Sequence, residues 1–78
     1  MTLTNARKNC LRYFAALALQ DKEAKKKALA ALPYVQERVK VACFQMGLLV
    51  QMGWSYGAST YELSPSGQKI VAEMNANA

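Results

Sequence analysis

The stretch Pro33–Gly53, PYVQERVKVACFQMGLLVQMG, decides how the rest of the chain is arranged. Pro33 suits the first turn of a helix, where its missing N–H would have no partner anyway. Gly53 suits a helix stop, because glycine enters the left-handed turn without steric penalty. Between them Val35, Val39, Ala42, Cys43, Met46, Leu49 and Val50 recur at helical spacing. The pattern predicts one long helix of about twenty residues, roughly 30 Å from end to end, on which the other elements pack. Val41, Phe44 and Leu48 form a second apolar stripe on its far side, where a surface helix is ordinarily polar. Two readings fit that stripe: smaller helices wrapping the long one on both sides, or a dimer or partner surface.

Working outward, residues 4–20 read as a first helix with Thr4 or Asn5 as its cap. Ala6, Cys10, Leu11, Phe14, Leu17 and Ala18 make its apolar stripe, and Lys8 and Arg12, four apart, share the outer side. Asp21 caps a second helix, DKEAKKKALAAL, whose residues all have high helix propensity. Ala24, Ala28, Ala31 and Leu32 line one of its faces, and Lys22, Lys25 and Lys26 line another, with Lys27 beside them. Pro33 disfavours helical geometry at Leu32 and separates this helix from the next. Beyond Gly53, Trp54-Ser55-Tyr56 and Thr60-Tyr61-Glu62-Leu63 read as two strands joined at Gly57-Ala58-Ser59, with Tyr61 and Leu63 facing the same way. Ser64-Pro65 is a capped helix start, and Ile70, Val71 and Met74 give that last helix an apolar face. The expectation is a mostly α chain with a small β-hairpin, one α+β domain over residues 1–78 with residues 75–78 as a frayed tail.

Seventy-eight residues bury a limited fraction of their unfolded surface, and oligomerisation is a common remedy. Cys10 and Cys43 sit on apolar faces and read as small buried hydrophobes; with no histidine and no Cys-x-x-Cys, no metal or cofactor is expected. The N-terminus has no apolar run after its charges, and the charge-free stretch from Val41 is apolar only as far as Trp54, too short to span a bilayer. A soluble, cytoplasmic protein is expected, with no membrane partner.

The net charge is +5 and is unevenly placed. Residues 1–40 hold nine Lys/Arg against Asp21, Glu23 and Glu37, a surplus of six; residues 41–78 hold Lys69 against Glu62 and Glu73. A one-sided positive field attracts polyanions, most often nucleic acid. An enzyme is not expected: there is no histidine, the five carboxylates show no helical or strand pairing, and no glycine-rich phosphate loop appears.

The segment Met46-Gly47-Leu48-Leu49, then Gly53, a hairpin and Tyr61-Glu62-Leu63-Ser64-Pro65-Ser66-Gly67-Gln68-Lys69-Ile70 resembles the wing and closing helix of the winged helix-turn-helix family, in its small bacterial and phage regulators. The likeness covers roughly residues 33–72. In that pattern the wing strand points its tyrosine and leucine inward, the serine caps the next helix, and Gly67 lets that helix lie close to the sheet. The resemblance implies that the helix before the wing enters the major groove by its leading part, here Tyr34, Gln36, Glu37, Arg38 and Lys40. Gln and Arg are side chains that read base edges, and Lys25, Lys26 and Lys27 on the second helix would meet phosphates. The wing itself carries no Lys or Arg.

The leading expectation is a small DNA-binding transcriptional regulator, dimeric, docking on double-stranded DNA with Lys8, Arg12, Lys22, Lys25, Lys26, Lys27, Gln36, Arg38 and Lys40. A dimer or partner interface is expected at Val41, Phe44, Leu48, Trp54, Tyr56, Val71 and Met74. The alternative is a protein-binding inhibitor or adaptor on the same fold, using the apolar Phe44/Leu48 and Trp54/Tyr56 surface. Small basic chains of this style resemble phage host-takeover proteins, anti-CRISPR proteins among them. A DNA-binding accessory protein with little sequence choice is a third possibility.

Overall fold

Thr4 is extended, and its hydroxyl accepts the Arg7 N–H at 3.3 Å, which starts α1 (Asn5–Leu17). The computed structural model describes residues 3–55 and 58–76, with Trp54, Ser55, Ala58 and Ser59 defined by backbone alone. The Asp21 carboxylate accepts the Glu23 and Ala24 N–H groups and starts α2 (Lys22–Ala30). Then come α3 (Glu37–Gln45), β1 (Leu49–Ser55), β2 (Ala58–Leu63) and α4 (Pro65–Ala76). The architecture is mostly helical with one two-stranded antiparallel hairpin, as the α+β expectation has it. The last helix runs through Asn75 and Ala76, which were expected to fray; residues 77–78 lie outside the described part.

The long helix over 33–53 does not form. Residues 33–36 are not helical, Gln36 stands at the N-cap, and α3 is only nine residues long. Its end is a two-bond left-handed cap. Gly47, at φ +80°, donates its N–H to the Phe44 carbonyl, and Leu48 donates to the Cys43 carbonyl, each at 3.0 Å. Leu48 and Cys43, the apolar pair that accompanies such a cap, are both buried. The stop is therefore Gly47 rather than Gly53. The run Leu48–Met52 fits a helix face and a strand equally well by pattern. It becomes a strand because Tyr61, Glu62 and Leu63 supply the ladder partners of Gln51, Val50 and Leu49. Gly53 sits within β1, just past an irregularity at Met52, with φ +147°.

The element at the centre is α1. It packs against α2, α3, α4 and β2. Cys10, Leu11, Phe14 and Ala16 are buried, a wider arc than a one-sided helix needs. Leu17 and Ala18, expected in that arc, lie near its end and are exposed. Leu3, Val35, Cys43, Leu48, Leu49 and Val71 complete the core. The second stripe thus dissolves. Leu48 is 3% exposed and belongs to the core through the turn, leaving Val41 and Phe44 on the outer side of α3.

Ser64 ties the two halves of the C-terminal unit together. Its hydroxyl donates to the Gly47 carbonyl at 2.6 Å and accepts the Gly67 N–H at 3.1 Å, so one buried side chain joins the end of α3 to the start of α4. Its backbone N–H bonds the Leu48 carbonyl. Tyr61 faces inward as expected, edge-on to Phe14 and tilted against Phe44 at 5.5 Å. Ser64→Ala removes the cap and orphans the Gly47 carbonyl, and is expected to lower stability by about 2 kcal/mol. Urea denaturation reads this directly; a loss near zero would mean that water replaces the hydroxyl.

Candidate nucleic-acid interface

The expected cationic residues fall on three structural units. On α2, Lys22, Lys26 and Lys27 are exposed and Lys25 is half-buried. Nothing on α2 is fully buried; its half-buried residues are Lys25, Ala28 and Leu29, and the helix packs on α1. Lys22 and Lys26, four apart, repel each other by a few tenths of a kcal/mol, a cost that a bound polyanion would remove. Lys26 and Lys27 flank a shallow groove with Glu23, Ala24 and Ala30.

The second unit joins α1 to the lead-in of α3. The Arg38 guanidinium donates through Nε to the Gln36 side-chain oxygen at 3.0 Å. The Arg12 guanidinium donates to the Asn9 side-chain oxygen at 3.3 Å. Asn9, Gln36 and Arg38 line one groove of about 420 Å³, floored by Ala6, Pro33, Val35 and Val39, with Tyr34 on its wall. Arg12 itself lies where α1 meets α2 and α4, beside Ala28 and Val71. Lys8 lies one turn before Arg12 on α1 and is half-buried.

The third unit removes one expected base reader. Lys40 turns inward. Its ammonium lies 3.6 Å from Glu37 and 5.6 Å over the Tyr13 ring, and its side chain is mostly covered. It fastens α3 to α1 and presents no free cation to a groove of DNA. This pair is also the single ion pair among the described residues. Asp21 is engaged at its own helix cap. The other eight cations of residues 1–40 therefore have no carboxylate partner.

Three residues escaped the sequence reading. Arg7 is half-buried on the α1–α3 side, close enough for its charge to act on the Cys43 thiol. Its position three residues before Cys10 was the available signal. Met52 is 58% exposed and Val50 is also exposed, because the strand turns Leu49 inward and its neighbour outward. A helical reading of the stretch hides that alternation.

The expected interface shrinks accordingly. Leu48 and Val71 are core residues and offer no surface. Val41 and Met74 are half-buried, and Phe44 is 38% exposed while resting on Tyr61. The side chain of Trp54 and all of Tyr56 lie outside the described residues, as does Gly57 of the expected turn.

Cys10 and Cys43 are both fully buried and reduced, facing each other across the α1–α3 seam. Burial pushes the Cys10 thiol up to about 12, reinforced by the neighbouring Cys43; Lys40 opposes this weakly. Burial also raises Cys43, against the hydrogen bond from Cys10 and the charge of Arg7. Thiols held protonated are poor nucleophiles, and they serve here as packing. Among the described residues no cluster of His, Cys, Asp or Glu could hold a metal ion, and no helix is long and apolar enough to cross a membrane.

No protein-family model matches the chain, and neither a curated protein nor a solved structure does.

Proposed function

We propose that this chain is a small DNA-binding regulator of the winged-helix kind, docking on double-stranded DNA with the lysines of α2 and the Arg38 end of α3. The observation that carries the reading is the uncompensated charge: eight cations in residues 1–40 have no carboxylate partner among the described residues, while Asp21 and Glu37 are used internally. The element order supports it too, since three helices, a hairpin and a closing helix is the winged-helix order. Arg38, exposed at the first turn of α3 and braced by Gln36, is the side chain best placed to reach a base edge. In a dimer, Val41, Phe44 and Met74 are the apolar residues left to form the seam.

Fluorescence anisotropy with a labelled duplex at roughly 50 to 200 mM salt tests the proposal. Three phosphate contacts, from Lys22, Lys26 and Lys27, give an expected slope of log K against log salt of about −3. The double change Lys26→Gln/Lys27→Gln should flatten that slope by about 2. Absence of binding at the lowest salt sinks the reading.

A protein-binding adaptor is the second reading, favoured by the exposure of Val50 and Met52 on the hairpin. It replaces the Leu48 contribution that the core has absorbed. Val50→Thr/Met52→Gln would then abolish partner binding and leave duplex affinity unchanged.

A further inference from the structure

Tyr34 is 88% exposed, far more than any other large apolar or aromatic side chain described. It follows Pro33, which restricts the backbone beside it, and stands on the wall of the groove between α1 and the lead-in of α3. A volume of about 420 Å³ is within the range of small-ligand sites. The polar groups that line it are Asn9, Gln36 and Arg38, and no carboxylate does. Glu37, the nearest acid in sequence, is drawn off to Lys40. The side-chain oxygens of Asn9 and Gln36 are occupied by Arg12 and Arg38, which orients both amides and leaves their N–H2 groups to donate. The groove therefore combines an exposed aromatic face, two oriented carboxamides and one braced guanidinium group, that of Arg38.

We propose that this groove holds one unpaired nucleotide of a nucleic-acid strand. The base stacks on the Tyr34 ring, its edge meets the Asn9 and Gln36 amides, and a flanking phosphate lies on Arg38. Unstacked bases are bound in this way, by aromatic faces and by donors to their edges. A base within a duplex is shielded from such a ring, so the site goes beyond the duplex docking proposed above; the two share Arg38 and are separated at Tyr34. An acidic peptide would satisfy Arg38, but would make no use of the exposed ring or the carboxamides.

The test is anisotropy with a labelled short oligothymidylate and, in parallel, a labelled blunt duplex, on the full chain. Tyr34→Ala should weaken oligothymidylate binding about tenfold or more and change duplex binding less than about twofold, and Tyr34→Phe should restore the loss. Because Tyr34 is so exposed, the thermal midpoint should not move in either variant. Equal loss on both probes, no loss on either, or displacement of the oligonucleotide by polyglutamate as readily as by unlabelled oligothymidylate overturns the nucleotide site. If the wild-type chain binds duplex and ignores the single strand, this inference falls and the duplex reading stands. If it binds neither, both fall.

Discussion

Gly67→Ala is expected to lower stability by about 3 kcal/mol, a large effect for the addition of a single methyl group. A Cβ built on Gly67 collides with the Leu48 carbonyl oxygen and presses on the Leu63 side chain. The obstacle is backbone, so no rotamer change relieves it. The Leu48 carbonyl is also fixed, because it accepts the Ser64 N–H. Relief requires α4 to move away from the turn that ends α3, which stretches both hydrogen bonds of the Ser64 hydroxyl. For a domain of this size such a loss lowers the thermal midpoint by roughly 12–24 °C. Calorimetry or a circular-dichroism melt checks this. A midpoint within a few degrees of wild type would mean that α4 is free to shift. Gly47 makes the contrast: nothing surrounds its Cβ position, so a substitution there meets only the strain of φ +80°, about 1 kcal/mol.

The second large effect is alkaline. Burial holds Cys10 protonated up to about 12, against 9.0 when exposed. Between those values the unfolded chain has lost the thiol proton and the folded chain keeps it. The unfolded state then binds fewer protons, so stability falls as pH rises. The contribution is fully present below pH 9 and is lost towards pH 12, at roughly 1.4 kcal/mol per pH unit from this group. Cys43 acts in the same direction. Unfolding by urea at successive pH values above 9 should show the decline, and Cys10→Ala should flatten it even though the variant starts less stable. An unchanged slope in that variant would falsify the assignment. The seam at risk is α1–α3, which also positions the Gln36–Arg38 end of the candidate interface.

Much of the local structure was legible residue by residue. Thr4, Asp21 and Ser64 each satisfy N–H groups within the first turn that follows them, an interaction decided within three residues. The inward pairing of Tyr61 and Leu63 follows from strand alternation alone. The stretch 33–53 was not legible in the same way. It holds two glycines that could end a helix, and an apolar run that satisfies both periods. Lys8, Arg12 and the α2 lysines could be assigned to outer faces, yet their relation to Arg38 depends on how α1 meets the other helices, which no short-range pattern encodes.

The amino-acid order by itself determined the N-terminal caps of α1, α2 and α4, the second strand, the closing helix and the concentration of positive charge before residue 41, because each depends on neighbours a few positions away or on composition. Only the tertiary structure decided that Gly47 ends α3, that Leu48 and Val71 fill the core, that Lys40 turns inward to Tyr13, and that Asn9 and Gln36 face one groove. Those outcomes depend on partners distant along the chain: β2 competing for the Leu49–Gln51 backbone, and α1 packing against every other helix.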